Sequence, residues 1–257
     1  MSFRFLPWRR RKTATPLGLT LIATLIPTVA LVPMAFAIFV GLPGSLLARG
    51  PEMAGGIAFP FGPSLAAAGW KAVSFPGRSP ATFTARGKDA LRVETAGGAG
   101  LLWRPAPASV ARAERAKWRW RKARGVGPTD LTRKGGDDRV LAVYFAFADQ
   151  RGKRAGTDLQ ALLRSGRGDI LMYVWGGAAK TGTIQKLPYF KGRGRSIVKR
   201  PADAAAGQWF AEDAAIAADF KRAFGKAPGR LVAIAVSSDA DDTGGHNLAA
   251  LADLYVK

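Results

Sequence analysis

Two carboxylate-rich turns, far apart in the chain, hold the side chains best suited to chemistry. Lys134-Gly135-Gly136-Asp137-Asp138 carries an adjacent acid pair next to Arg133 and Arg139, and Asp239-Ala240-Asp241-Asp242-Thr243-Gly244 places oxygens at alternate positions ahead of a glycine. Paired carboxylates can take opposite proton-transfer roles when their surroundings push their pKa values apart. Neighbours on an extended chain point in opposite directions, so a glycan-active enzyme would combine a carboxylate of the Asp137/Asp138 turn with one of the Asp239/Asp241 turn. The competing reading is an ion-pair network with Arg133, Lys134 or Arg139. Asp239, Asp241 and Thr243 also have the spacing of a calcium loop. The twelfth position is Ala250 rather than glutamate, which excludes a complete EF-hand. A Ca2+ site would need Asp137, Asp138 or Asp253 as well; otherwise the turn's carboxylates cap backbone amides or pair with arginines.

Aromatic and basic residues form the second group. In Lys117-Trp118-Arg119-Trp120-Arg121 the tryptophans share one strand face and the arginines the other. An exposed Trp118/Trp120 platform would stack on sugar rings or bases while Arg119 and Arg121 hold anionic groups; core packing is the alternative for such tryptophans. Trp175, Lys134, Asp137 and Asp138 complete the ligand-binding candidates. A further basic cluster, Lys191, Arg193, Arg195, Lys199 and Arg200, sits in a glycine-containing loop and strand. His246, the one histidine, lies in a glycine-rich turn, and cysteine is absent, which removes thiolate and multi-histidine metal sites. No Gly-x-Ser-x-Gly elbow, complete phosphate-binding loop or dinucleotide fingerprint occurs, so no catalytic site is assigned.

These groups must be positioned by strands. Val140 to Phe147 is a short apolar run bounded by turn residues and rich in β-branched and aromatic side chains, as expected of a central strand buried on both faces. Strand patterns also cover Trp70–Phe75, a hairpin from Thr82 to Thr95 around Gly87, 101–104, 117–121, 170–175, 196–199, 208–210, 231–236 and 251–256. One helix interrupts them: Ile216, Phe220, Ala223 and Phe224 recur at helical spacing, acids lead, Lys221 and Arg222 follow, and Gly225 with Pro228 ends it. Many strands and one short helix indicate a mainly β fold, a jelly-roll-like antiparallel β-sandwich.

The amino terminus reads differently. Arg4, Arg9, Arg10, Arg11 and Lys12 precede an uncharged, mostly apolar stretch from Pro16 to Ala48, the pattern of a signal peptide or a retained membrane anchor. Ala35-Phe36-Ala37 fits signal cleavage, whereas continuation through Leu42 gives the length of a spanning segment. Residues 49–68, rich in Gly, Pro and Ala, read as a linker to the domain 69–257. Of the net charge of +21, the five leading cations supply only a part, and the domain itself is strongly basic. It points to anionic partners, an envelope glycan or lipid headgroups; nucleic acid follows from charge alone and is disfavoured for a domain facing the periplasm.

Gly69-Trp70, Phe75-Pro76-Gly77-Arg78, Trp118-Arg119-Trp120-Arg121, Lys134 to Asp138, Tyr173-Val174-Trp175, Gly207-Gln208-Trp209 and Asp239 to Gly244 occur in this order. Together they resemble an uncharacterised bacterial domain-of-unknown-function family of exported proteins. The resemblance implies a β-sandwich similar to carbohydrate-binding modules; Lys122, after the Trp-Arg repeat, departs from the apolar residue expected there. The expectation is an exported, membrane-tethered, non-catalytic domain of the bacterial periplasm that binds an envelope glycan or another anionic envelope component.

Overall fold

The computed structural model describes residues 56–148, 159 and 168–257. The signal or anchor segment lies outside the described residues. Within them, no helix is long and apolar enough to cross a membrane.

The strands in chain order are β1 (Ile57–Ala58), β2 (Lys71–Val73), β3 (Ser79–Pro80), β4 (Thr82–Arg86), β5 (Ala90–Ala96), β6 (Gly98–Pro105) and β7 (Ala116–Arg124). They continue with β8 (Arg139–Phe147), β9 (Asp169–Trp175), β10 (Ile184–Lys186), β11 (Gly194–Arg200), β12 (Phe210–Ala214), β13 (Leu231–Asp239) and β14 (His246–Val256). Helix α1 spans Ile216–Phe224. A six-stranded sheet has the order β12-β7-β14-β5-β4, with β1 also on β14; an eight-stranded sheet has the order β10-β11-β9-β8-β13-β6-β2, with β3 on β6. Pairing is antiparallel except for β9 with β11 and β3 with β6. The mainly β two-sheet sandwich expected from the strand patterns is thus the observed fold.

Residue type explains which faces meet. In β7, Ala116, Trp118 and Trp120 are buried while Arg119 and Arg121 are exposed, because a period of two puts one class on each side. Between the sheets the rings interlock: Trp118 and Trp120 sit edge to face at 5.5 Å, Trp118 meets Tyr173 at 5.4 Å and Trp120 meets Trp175 at 5.6 Å. β8 is buried throughout. Val140, Val143, Phe145 and Phe147 enter the intersheet core, and Ala142, Tyr144 and Ala146 join a second apolar cluster on the outer face of the eight-stranded sheet.

Helix α1 packs Phe220 against Phe147 at 4.9 Å, accepts the Tyr173 hydroxyl on Asp219 at 2.7 Å and stops at left-handed Gly225. One expectation changes. The described part of the expected linker joins the domain, since β1 pairs with the end of β14 and Phe59 and Phe61 are buried, their apolar surface matching that edge. Lys122 faces inward as its parity with Trp118 and Trp120 requires. Its ammonium donates to Ala202 O at 2.6 Å and lies 5.8 Å over the Trp175 ring, so the charge is satisfied at the core's margin.

Candidate functional site

On the outer face of the eight-stranded sheet, the two central strands carry small side chains. Register pairs Ala235 with Tyr144 and Ser237 with Ala142, so Ala142, Ala146, Ala233 and Ala235 leave a shallow floor. Leu101 and Trp103 of β6 flank it on one side. The connection between β10 and β11 brings Tyr189 and Phe190 to the other. The apolar stretch of this groove holds about 30 Å3 and its polar end about 20 Å3. Such volumes suit single waters, so a sugar ring would lie across the rim rather than inside.

The polar end is organised by Arg139. Its Nη1 donates to Asp137 O at 2.6 Å and Asp137 Oδ2 at 3.1 Å, and lies 3.4 Å from Asp239 Oδ2. Nη2 donates to Tyr144 Oη at 3.0 Å and Ser237 Oγ at 3.3 Å, and those two hydroxyls are 2.8 Å apart. Asp239 Oδ1 and Arg139 Nε have no protein partner. Burial raises the Asp239 carboxyl to about 6; Arg139 opposes the rise, and Asp137, Asp138 and Asp242 add to it. Asp137 is raised too, by burial first, with Arg139 opposing and Asp242 adding. Burial works against the Arg139 charge, but Tyr144, Asp239 and Asp137 outweigh it and hold the guanidinium protonated.

The two acidic turns meet at Asp138. Its buried carboxylate accepts from Asp242 N at 3.2 Å, Thr243 N at 2.8 Å and Thr243 Oγ1 at 2.6 Å. Asn247 reinforces the seam: its Nδ2 donates to Arg139 O, Ser238 Oγ and Asp239 O, and its Oδ1 accepts from Val126 N. Asp138 and Asn247, bonded in this way, fix the two turns against each other. Asp138, Asp239 and Asp241 can each offer an oxygen within 4.8 Å of the others. Of the proposed metal set, however, Asp239 faces Arg139, Asp241 pairs with Arg78, and the Thr243 hydroxyl is committed to Asp138. Two guanidiniums therefore occupy the charge-balancing positions a Ca2+ ion would take.

The remaining candidates separate. Trp118, Trp120 and Trp175 are buried in the intersheet core and form no binding platform; desolvating large rings there outweighs displaying them. Arg119 and Arg121 are exposed as expected, on the outer face of the six-stranded sheet, but they flank Trp209 at 5.4 and 5.5 Å. Lys134 stands at the groove rim with Nζ 5.7 Å over the Tyr189 ring, whose hydroxyl accepts from Gly135 N at 3.3 Å. Tyr189 and Trp209, 54% and 38% exposed, are functional candidates that the sequence reading passes over. The signal for Tyr189 is an aromatic pair in a Pro- and Gly-bounded loop beside lysine. His246 is not in a loose turn: it opens β14, with Nε2 3.0 Å from Glu94 Oε1 and Nδ1 3.1 Å from Arg124. Arg195 caps carbonyls of Gly192, Gly194 and Ala223, and Lys199 and Arg200 pair with Glu212, so much of the second basic cluster serves local structure.

The family model of DUF3047, a protein of unknown function, matches residues 68–255, and the chain belongs to that family. No curated protein matches it. Among solved structures, the chain is similar to the xyloglucanase domain of NopAA, a type three effector from Sinorhizobium fredii in complex with cellobiose. Identity there is 10%, covering 74% of this chain and 92% of that one, with a TM-score of 0.40. It is also similar to a loop-swap mutant of Xyn11A from Necallimastix patriciarum (10% identity, 78% and 100% covered, TM-score 0.34). A third is a cellulase derived from Cel12A of Rhodothermus marinus (11% identity, 79% and 99% covered, TM-score 0.36). At these TM-scores the likenesses carry no argument about substrate or reaction.

Proposed function

We propose that this member of the DUF3047 family is an exported, membrane-tethered domain that binds an envelope glycan without transforming it, at the rim formed by Lys134, Tyr189 and the Arg139 network. The basic and then apolar amino terminus supports export and tethering. The observation that carries the binding role is Tyr189, an exposed ring held by Lys134 and Gly135 at the mouth of a cluster of carboxylates, guanidinium and hydroxyls. A pyranose presents an apolar face to such a ring and hydroxyls to such acceptors and donors. Guanidinium or backbone partners on each of the four candidate carboxylates favour binding over turnover.

Retention of the full chain on peptidoglycan, lipopolysaccharide and liposomes, at low and raised salt, tests this reading. Glycan retention should weaken about tenfold in Tyr189→Ala with the fold intact; equal retention by variant and parent, or capture by liposomes alone, would remove it. A reporter fused at Lys257 tests export.

The second reading is a glycan-active enzyme using carboxylates of the Asp137/Asp138 and Asp239/Asp241 loops. The observation favouring it is Asp239, raised to about 6 beside Asp137, a value suited to a general acid. Sugar products that appear with the parent and disappear in Asp239→Asn would establish it in place of the first.

A further inference from the structure

The outer face of the six-stranded sheet lies apart from the groove and has its own chemistry. Trp209, just ahead of edge strand β12, is flanked by the guanidiniums of Arg119 and Arg121. Arg119 is held by Asp253 at 2.5 Å. Arg121 has no carboxylate partner among the described residues and lies against the Trp209 ring. On β14, Ala250 pairs with Arg121 on one side and Arg92 on the other. Two arginines on one sheet face are thus separated by a small residue, with Cα atoms two strand spacings apart, about 10 Å. Arg92 pairs with Glu94 at 2.8 Å, and Lys117 with Asp213 at 3.3 Å. These pairs are half-exposed and therefore weak, so each cation can exchange its partner for a ligand carboxylate at little cost.

We propose that this face is a second binding site, for a linear polysaccharide carrying carboxylates on its sugar rings. One ring stacks on Trp209 with its carboxylate on Arg121, and a later carboxylate along the chain reaches Arg92. Guanidinium forks match carboxylates in a bidentate manner. A sheet face with one exposed indole and cations at wide spacing suits an extended sugar chain. Single-stranded nucleic acid is instead met by successive aromatics along a basic groove. This site does not rest on the groove reading.

The test is binding of the full chain to oligogalacturonate, to the same oligomer with its carboxyls reduced, and to oligodeoxythymidine of equal charge. Oligogalacturonate should bind about tenfold more tightly than its reduced form, and Arg121→Gln should abolish that preference. Trp209→Ala should weaken both sugars about tenfold while Trp209→Phe largely retains them, which separates stacking from misfolding. Equal binding of the charged and reduced oligomers, no effect of Arg121→Gln or of Trp209→Ala, or tighter binding of oligodeoxythymidine would each overturn the proposal.

Discussion

Arg139 and Asp239 are register partners on neighbouring strands, and the guanidinium lies 3.4 Å from the carboxylate at the point where the two acidic turns join. The same nitrogen also reaches Asp137, so one buried cation balances carboxylates from both turns. Arg139→Met should therefore lower stability by about 3–5 kcal/mol, because two desolvated acids lose their partner. Adding Asp239→Asn to that variant should recover part of the loss. Urea melts of the single and double variants measure both effects.

Asp239 gives stability an unusual pH dependence. Its folded carboxyl is raised from 3.8 to about 6, so its contribution is intact below about pH 4 and is lost as pH rises through about 6. The full loss is about 3 kcal/mol. Asp213 acts in the opposite sense: burial works against it, but Arg115 and Lys117 hold it below its usual range, and its contribution fades as pH falls. The difference between parent and Asp239→Asn isolates the first effect. The variant should be the more stable at pH 8, with the advantage gone by pH 4.

Arg78 neutralises Asp241 from outside the loop, with an exposed side chain on a shielded carboxylate. Arg78→Ala should open the Asp138, Asp239 and Asp241 oxygens to a cation. Millimolar calcium should then raise the melting temperature of the variant and leave that of the parent unchanged. Calorimetry with and without chelator checks this, and a calcium response in the parent would return the cluster to the metal candidates.

Trp118 packs against Trp120, Phe145 and Tyr173 and is almost wholly buried. Trp118→Ala should lower stability by about 3–5 kcal/mol. Glycan binding by the fraction that remains folded should match the parent, as denaturant melts and binding at low temperature would show.

Much of this was legible in the residues. The β8 run, the alternation of tryptophan and arginine in β7 and the end of α1 at Gly225 are each decided by local pattern, which the structure follows, whereas Glu212 and Asp213, which read as the acids opening the helix, lie in β12. The meeting of the two acidic turns was expected, and Asp138 accomplishes it through hydrogen bonds to Asp242 and Thr243. Period-two patterning separates two faces of a strand without saying which one water reaches, so Trp118 and Trp120 could be read as a platform. Tyr189 and Trp209 owe their exposure to what the fold leaves uncovered, and no local pattern encodes that. Strand β1 reads as linker because two residues between glycines and prolines carry no period; its place comes from pairing with a strand nearly two hundred positions later.

That late strand governs how the domain can be made. β14 lies inside the six-stranded sheet, between β7 and β5, and also receives β1. Until it is synthesised, β5 and β7 have no seam between them, and their apolar faces stay open. Assembly must therefore be slow and dominated by long-range closure, and a nascent chain stalled before residue 246 should be a client for holding chaperones rather than a smaller folded unit.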